Sequence, residues 1–460
     1  MNTDLPKIVV PRAEHGISRT MMSPNGVKAL YKLKEHGFIA YLVGGGVRDL
    51  LLGREPKDFD VVTDATPNQL KKLFRNCRLI GRRFRLAHLH YQDEIIEAAT
   101  FRSAVSEASA EELAEEETPE LDEEGRARPP RRLVSEDGLV LRDNVFGTPE
   151  EDARRRDFTV NALFYNIADF SIIDHVGGIE DLKNGLIRTI GDPQVRFVED
   201  PVRMIRAVRF ASMLGFNIEE RTMAAILELA PTINKATPPR LYEEVLKLLL
   251  MGAGERTYQM LRHCGLFQPL FPHFDAWLER ESDGFPHARV GKALEWVDER
   301  LASGQTVSPP LLLALMFGEY LEEKITQFRK EGLAPQQSTD AAVAAFAGEL
   351  ALTVSVPNRT CLAVREILSL QQRFLKTPGR NARGVVGRAS FADALAYLDF
   401  IEELSPLKRS LAAWWRKFAA DQLSPEAGEP QPAEAEAPKA KRRRKRRRRR
   451  RGGGGAGGEE

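Results

Sequence analysis

The sequence predicts an α+β protein: a small α/β head, an all-helical neck and body behind it, and a disordered basic tail. Three observations carry this. Strand-like and helix-like patterns alternate between residues 23 and 101, and helical periodicity dominates from Glu199 to about Gln422. After Leu423 the composition turns to Pro, Ala and Glu and then to unbroken Lys and Arg.

Residues 1–22 read as a loose leader. Ser23-Pro24 then supplies an N-cap and a first-turn proline, Val27, Leu30 and Leu33 give helical apolar spacing, and Gly37 ends the helix. Phe38 to Val43 reads as a strand running into Gly44-Gly45-Gly46, with a short helix from Gly46 to Leu52. Asp58 to Thr63 reads as a second strand, Thr66-Pro67 opens a helix through Phe74, and three strands follow at Cys77–Ile80, Phe84–Tyr91 and Glu94–Phe101. The head is expected over 23–170, interrupted by a flexible acidic insertion at 103–132. Neck helices are expected over 171–254, a helical body over 255–422, and linker plus tail over 423–460.

A chain of 460 residues has ample core for two or three such units. The longest strongly apolar run, Leu311 to Phe317, is far too short to span a bilayer, and Met1-Asn2-Thr3-Asp4 lacks the charged-then-apolar pattern of a signal peptide. A cytoplasmic protein with no membrane span is expected. Cys77, Cys264 and Cys361 are isolated, which argues against a disulfide framework or zinc knuckle. Net charge is +1, yet Lys441 to Arg451 is a block of eleven basic residues; removing those eleven charges leaves −10 for the remainder. Residues 107–124 hold ten acidic residues and no basic one, so the two blocks must be read separately.

Four constellations carry chemistry. In Lys57-Asp58-Phe59-Asp60, a strand aims both carboxylates to one face and Phe59 to the core, a clamp for a hard divalent cation. Just upstream, Gly44, Gly45 and Gly46 let backbone N–H groups approach a phosphate, with Arg48 one turn into the following helix. A tight strand–helix turn would show the same glycines, but the two features at short spacing point to a nucleoside triphosphate. Glu97 falls in a neighbouring strand, as a third acid or as a plain outward-facing residue. Further on, Arg154-Arg155-Arg156-Asp157 precedes Asn161, with Asp157 and Asn161 read as one helical turn apart. Last, Glu199 and Asp200 are read as capping a helix in which Arg203, Arg206 and Arg209 line one side. A solvated charged face has the same periodicity.

Gly-Gly-x-x-Arg-Asp, Asp58-x-Asp60, Arg-Arg-Asp-Phe-Thr-x-Asn-Ala and Glu-Asp-x-x-Arg, in that order over about residues 38–250, resemble the class II nucleotidyltransferases. That superfamily shares a DNA polymerase β-like catalytic fold and contains tRNA CCA-adding enzymes and bacterial poly(A) polymerases. Leu79 to His88, Ile95 to Arg102, and Thr237-Pro238-Pro239-Arg240 are similar to the poly(A) polymerase branch, as is an arginine-rich end; the acidic insertion and His88-Leu89-His90-Tyr91 depart from it. The resemblance implies an adenylyltransferase that uses ATP, two Mg²⁺ ions and RNA 3′ ends. It places Mg²⁺ on Asp58 and Asp60, with Glu97 beside them, and triphosphate on the turn at Gly44 and Gly45 and on Arg48. Arg156, Asp157 and Asn161 would meet the nucleotide, with Asp157 near the ribose; Glu199, Asp200, Arg203, Arg206 and Arg209 would read its base and phosphates. A role in RNA decay, with decay proteins docking on the basic tail, follows as an expectation. The alternatives are a CCA- or A-adding tRNA enzyme and an inactive RNA-binding scaffold.

Overall fold

A computed structural model describes residues 6–81, 86–103, 132–134, 140–143, 146–280, 287–376, 382–405 and 410–423. The acidic block 107–124 and the linker and basic tail after Leu423 lie outside the described residues. The head is built on an eight-stranded sheet. Its strands are β1 (Ile8–Val10), β2 (Ala40–Val43), β3 (Asp60–Thr63), β4 (Cys77–Ile80), β5 (Leu86–His90), β6 (Ile95–Thr100), β9 (Leu163–Asn166) and β10 (Ile172–Asp174). A separate hairpin, β7 (Arg132–Val134) with β8 (Val140–Asp143), falls between them in sequence. The sheet order is β1-β10-β9-β2-β3-β6-β5-β4, antiparallel except for the parallel pair β3/β6.

Helix α1 (Pro24–Glu35) starts where the Ser23 side chain accepts from the N–H groups of Asn25 and Gly26, and buries Ala29, Leu30 and Leu33. Helix α2 (Gly45–Leu51) follows β2 through Gly44, whose φ of 77° favours glycine. Helix α3 (Pro67–Leu73) begins in a Thr66–Gln69 capping box. Leu30, Leu42, Val61, Leu70 and Ile96 gather in one head core.

Three expectations need correction. The stretch 1–22 is not wholly a loose leader: Ile8-Val9-Val10, a β-branched run, pairs with β10 at the sheet edge, and Ile17 is buried. The head does not end at 170, because β9 and β10 form a hairpin within the same sheet. Strand β3 begins at Asp60, not Asp58: β2 ends opposite Asp60 at Val43 and turns away at Gly44, leaving Asp58 no ladder partner on that side.

Beyond the sheet the described chain is mostly helical, apart from a short parallel pair of Leu186–Ile187 with Asn217–Ile218, with α4 (Pro149–Arg154), α5 (Gly178–Asn184), α6 (Pro193–Glu199), α7 (Val202–Leu214), α8 (Glu220–Leu229) and α9 (Pro238–Leu249) leading into the body. One buried apolar cluster runs from Phe158 to Trp415, so the neck and body, divided at 254 in the sequence reading, share a core. Trp415 belongs to it, and its indole N–H donates to the Phe374 carbonyl at 3.1 Å. Among the described residues no helix is long and apolar enough to cross a membrane.

Candidate active site

Strand pairing brings the acids together. Asp60 heads β3 and lies directly beside Glu97 of the parallel strand β6. Asp58 sits exposed in the approach to β3. Burial pushes the Asp60 carboxyl up to about 6, and the Glu97 and Asp58 carboxylates add to this against the opposing Arg156 guanidinium. Holding Asp60 ionised at neutral pH therefore costs about 3 kcal/mol relative to water. Such excess negative charge, presented by hard carboxylate oxygens, fits a divalent cation. Among the described residues no three His, Cys, Asp or Glu side chains gather as a metal cage. Asp60 and the neighbouring acids offer hard carboxylate oxygens of the type that a divalent cation such as Mg²⁺ prefers.

The glycine turn lies beside these acids. A Cβ on Gly44 would lie 3.6 Å from Arg156 Nη1, 3.8 Å from the Asn161 carbonyl oxygen and 3.9 Å from Asp60 Oδ2, so Gly44 sits where acids and arginine converge. Gly46 packs against the loop, with the Asp58 carbonyl 3.2 Å from where its Cβ would be. Arg48 is only 3% exposed; Nη1 donates to Asn161 Oδ1 at 2.7 Å, while Nε and Nη2 donate to Asp49 Oδ1. Its guanidinium braces α2 against the 157–161 segment, with Nη2 3.5 Å from where a Gly45 Cβ would be.

The Arg-Arg-Asp segment is held from beneath. Helix α4 buries Asp152, which accepts from Arg156 Nε and Nη2 at 3.0 and 2.8 Å and from Arg155 at 3.3 Å. Asp157 and Asn161 are not on one α-helix: a bend at Arg156-Asp157 leads to a 3₁₀ turn at Thr159–Asn161. Their side chains nonetheless meet, Asn161 Nδ2 donating to Asp157 Oδ1 at 3.4 Å. Asp157 Oδ2 accepts from Arg206 Nε at 2.8 Å and from its Nη2. Burial works against the Asp157 carboxylate, but the Arg206 charge and hydrogen bonds prevail and hold its pKa down to about 2. A continuous chain Arg48–Asn161–Asp157–Arg206 therefore ties the glycine turn to α7.

Glu199 and Asp200 do not cap α7. Glu199 is the last residue of α6 and Asp200 is its extended C-cap; Pro201, lacking an N–H, separates the two helices. The stripe is present: Arg203, Arg206 and Arg209 are the half-exposed positions of a helix otherwise buried from Val202 to Phe210. Arg203 Nη1 donates to Glu199 Oε2 at 3.0 Å and to the Arg196 carbonyl at 2.9 Å. Arg209 lies 3.8 Å from Glu244 of α9, and its charged form is disfavoured by burial and by neighbouring Arg206. The Phe210 ring lies 5.2, 5.4 and 4.7 Å from the guanidinium carbons of Arg48, Arg206 and Arg209.

Several participants were not singled out from sequence. Arg240 of α9 grips both Asp200 oxygens at 2.6 and 2.7 Å. Arg196 donates to the carbonyls of Arg155 and Arg156 and, at 2.6 Å, to Glu199. Asp152 was detectable from its i,i+4 spacing to Arg156; Arg240 and Phe210 carry no local signal beyond their place in a motif.

Known proteins match this arrangement along its length. Residues 40–188 match a family model described as the poly A polymerase head domain. Residues 215–278 match the probable RNA and SrmB-binding site of polymerase A, and residues 331–451 the polymerase A arginine-rich C-terminus. Poly(A) polymerase I of Salmonella typhimurium is 43% identical over 424 residues, 91% of this chain and 87% of that protein. The chain belongs to the bacterial poly(A) polymerase family. It is a polynucleotide adenylyltransferase of the class II nucleotidyltransferase superfamily. The CCA-adding enzyme of Lactobacillus helveticus is 39% identical over 230 residues, half of each chain. The Bacillus stearothermophilus CCA-adding enzyme in complex with CTP superposes with a TM-score of 0.56 at 24% identity, over 87% of this chain and 82% of its own. That likeness shows that the poly(A) polymerase has the CCA-adding enzyme's fold.

Proposed function

We propose that this protein transfers AMP from ATP to RNA 3′-hydroxyl ends without a template, building a poly(A) tail. The observation that carries this reading is the convergence of Glu97, Gly44 and Arg156 on Asp60, in a chain closely related to poly(A) polymerase I. Asp58 and Asp60 would hold two Mg²⁺ ions, which supply charge to acidify the attacking hydroxyl and to stabilise departing pyrophosphate.

The chain's own residues bind and orient. Gly44 leaves room for phosphate, and Arg156, fixed by Asp152, supplies a cation beside it. Arg48, Asn161 and Arg206 position Asp157, the group assigned to the ribose. Asp200 and Arg203 are assigned to the base, and both are preorganised: Asp200 by Arg240, Arg203 by Glu199. Fixed donors and acceptors of this kind can select one base without a template strand.

The reading extends to a cytoplasmic role in RNA decay, with the basic block binding RNA phosphate or a decay protein; the match to an arginine-rich C-terminal model supports it. CCA or A addition to tRNA is the second reading, favoured by the CCA-adding relative that matches over half its length. Incubating the purified protein with a generic RNA, Mg²⁺ and each nucleoside triphosphate in turn tests nucleotide choice. Incorporation from ATP alone is the expected result, and equal use of all four would refute template-free selection of adenine.

A further inference from the structure

The side of β3 away from Gly44 carries an arrangement to which, Glu97 apart, no role has been assigned. Gly44 and Arg156 approach Asp60 from the β2 side of the sheet, whereas β6, β5 and β4 extend in the other direction. Register places Asp60 beside Glu97, Glu97 beside His88, and His88 beside Arg78, one residue from each successive strand. At about 4.8 Å per strand, this row runs about 14 Å from the metal-binding carboxylate to the sheet edge. His90 and Ile95 pair in the next row. The alternate residues Ala87, Leu89, Ile96 and Ala98 are buried in the core on the far face, so the row and its neighbours occupy the near one. There His88 Nε2 lies 3.3 Å from Glu97 Oε1, the His88 and His90 rings are 6.1 Å apart, and Ile95 remains 49% exposed.

We propose that this face seats the RNA primer, with its 3′-terminal nucleotides lying along the row from Asp60 towards Arg78. The inference rests on the nucleotidyl-transfer reading above. In-line displacement requires the attacking hydroxyl and the leaving pyrophosphate on opposite sides of the α-phosphate. With the triphosphate on the β2 side, the hydroxyl must arrive from the β6 side, and this face continues directly from there. Its composition suits single-stranded RNA: His90 beside Ile95 offers a ring and an apolar neighbour for a base, and Arg78 offers a bidentate cation for a backbone phosphate. Glu97, next to Asp60, faces the hydroxyl end of the primer and not a phosphate. The connection at Arg82–Arg85 lies outside the described residues and takes no part in the proposal.

The test uses the full chain and a 5′-labelled twelve-nucleotide oligoadenylate without ATP, across a salt series that starts high enough to screen the basic tail. His90→Ala should weaken RNA binding roughly tenfold. Arg78→Gln should reduce the slope of log affinity against log salt by about 0.7, and Arg78→Lys should restore it. In steady state both losses should appear as a raised KM for RNA, with KM for ATP within about twofold of wild type. A primer ending in 4-thiouridine should crosslink to His88, His90, Ile95 or Glu97. Unchanged RNA binding in His90→Ala and Arg78→Gln, a raised KM for ATP in place of RNA, or crosslinks confined to the helical body would each overturn the proposal. A wild-type protein that binds RNA but adds no nucleotide would instead strike the transfer reading, while weakened RNA binding in the variants would still support the seat.

Discussion

Asp60 and Asp157 are two buried carboxylates driven in opposite directions, and the difference follows from what each faces. Asp60 faces Glu97 and Asp58, and its carboxyl rises to about 6. A carboxyl raised in the folded state contributes stability that is present below its unfolded pKa of about 4 and lost as pH rises through about 6. Asp60→Asn should therefore raise Tm at pH 8 without divalent ions and leave it unchanged near pH 3. Added Mg²⁺ should raise the wild-type Tm and not the variant's, and nucleotide incorporation should fall at least about a thousandfold. Differential scanning calorimetry and a primer-extension assay read these outcomes. Asp157 faces Arg206, and its carboxyl is held down to about 2. That contribution is present above about pH 4 and lost as pH falls through about 2, so Asp157→Asn should cost about 2 kcal/mol at pH 7 and almost nothing at pH 2. Urea denaturation at the two pH values measures the difference. The sequence shows Asp58-x-Asp60 because a strand has a period of two. It does not show that Glu97 lies beside Asp60, since strand register is set by partners distant in the chain. For the same reason the contact of Arg48 with Asn161, 113 residues away, is not legible.

At the scale of elements, the working parts are turns between regular segments. Gly44 joins β2 to α2 with φ 77° and ψ −140°, and Pro201 separates α6 from α7. Gly44→Ala should cost about 1–3 kcal/mol from backbone strain. Its Cβ would also project towards Arg156 and Asp60. The expected result is a raised KM for ATP with the fold retained, read by steady-state kinetics and circular dichroism. Ser23-Pro24, Thr66-Pro67 and the arginine spacing of α7 are legible from sequence because caps and helical periods are local. Strand β1 is not legible: three residues hold too little pattern, and its pairing with β10 crosses more than 160 positions. The α6–α7 break is legible only in part, because Pro201 fits a helix's first turn as well as an interruption between helices.

Across the whole molecule, the sheet supplies the carboxylates, α7 supplies the arginines, and one core from Phe158 to Trp415 holds neck and body behind them. Arg240 on α9 therefore couples Asp200 to the neck, so on the base-reading role proposed for Asp200 nucleotide choice would depend on packing well outside the sheet. The basic block would add affinity of another kind: the eleven cations of Lys441 to Arg451 suit phosphate, and the block lacks aromatic residues for base stacking. Removing residues 439–460 should weaken RNA binding at low salt and flatten its salt dependence while leaving nucleotide choice intact; filter binding across a salt series checks both. The central claim, template-free poly(A) synthesis, is tested most directly by product length. Wild-type protein is given ATP, CTP and Mg²⁺ with either an unstructured RNA or a tRNA lacking its terminal nucleotides. The account predicts a long adenylate homopolymer on the unstructured RNA, with CTP left unused. Extension that stops after one to three nucleotides, or that requires CTP, would contradict it.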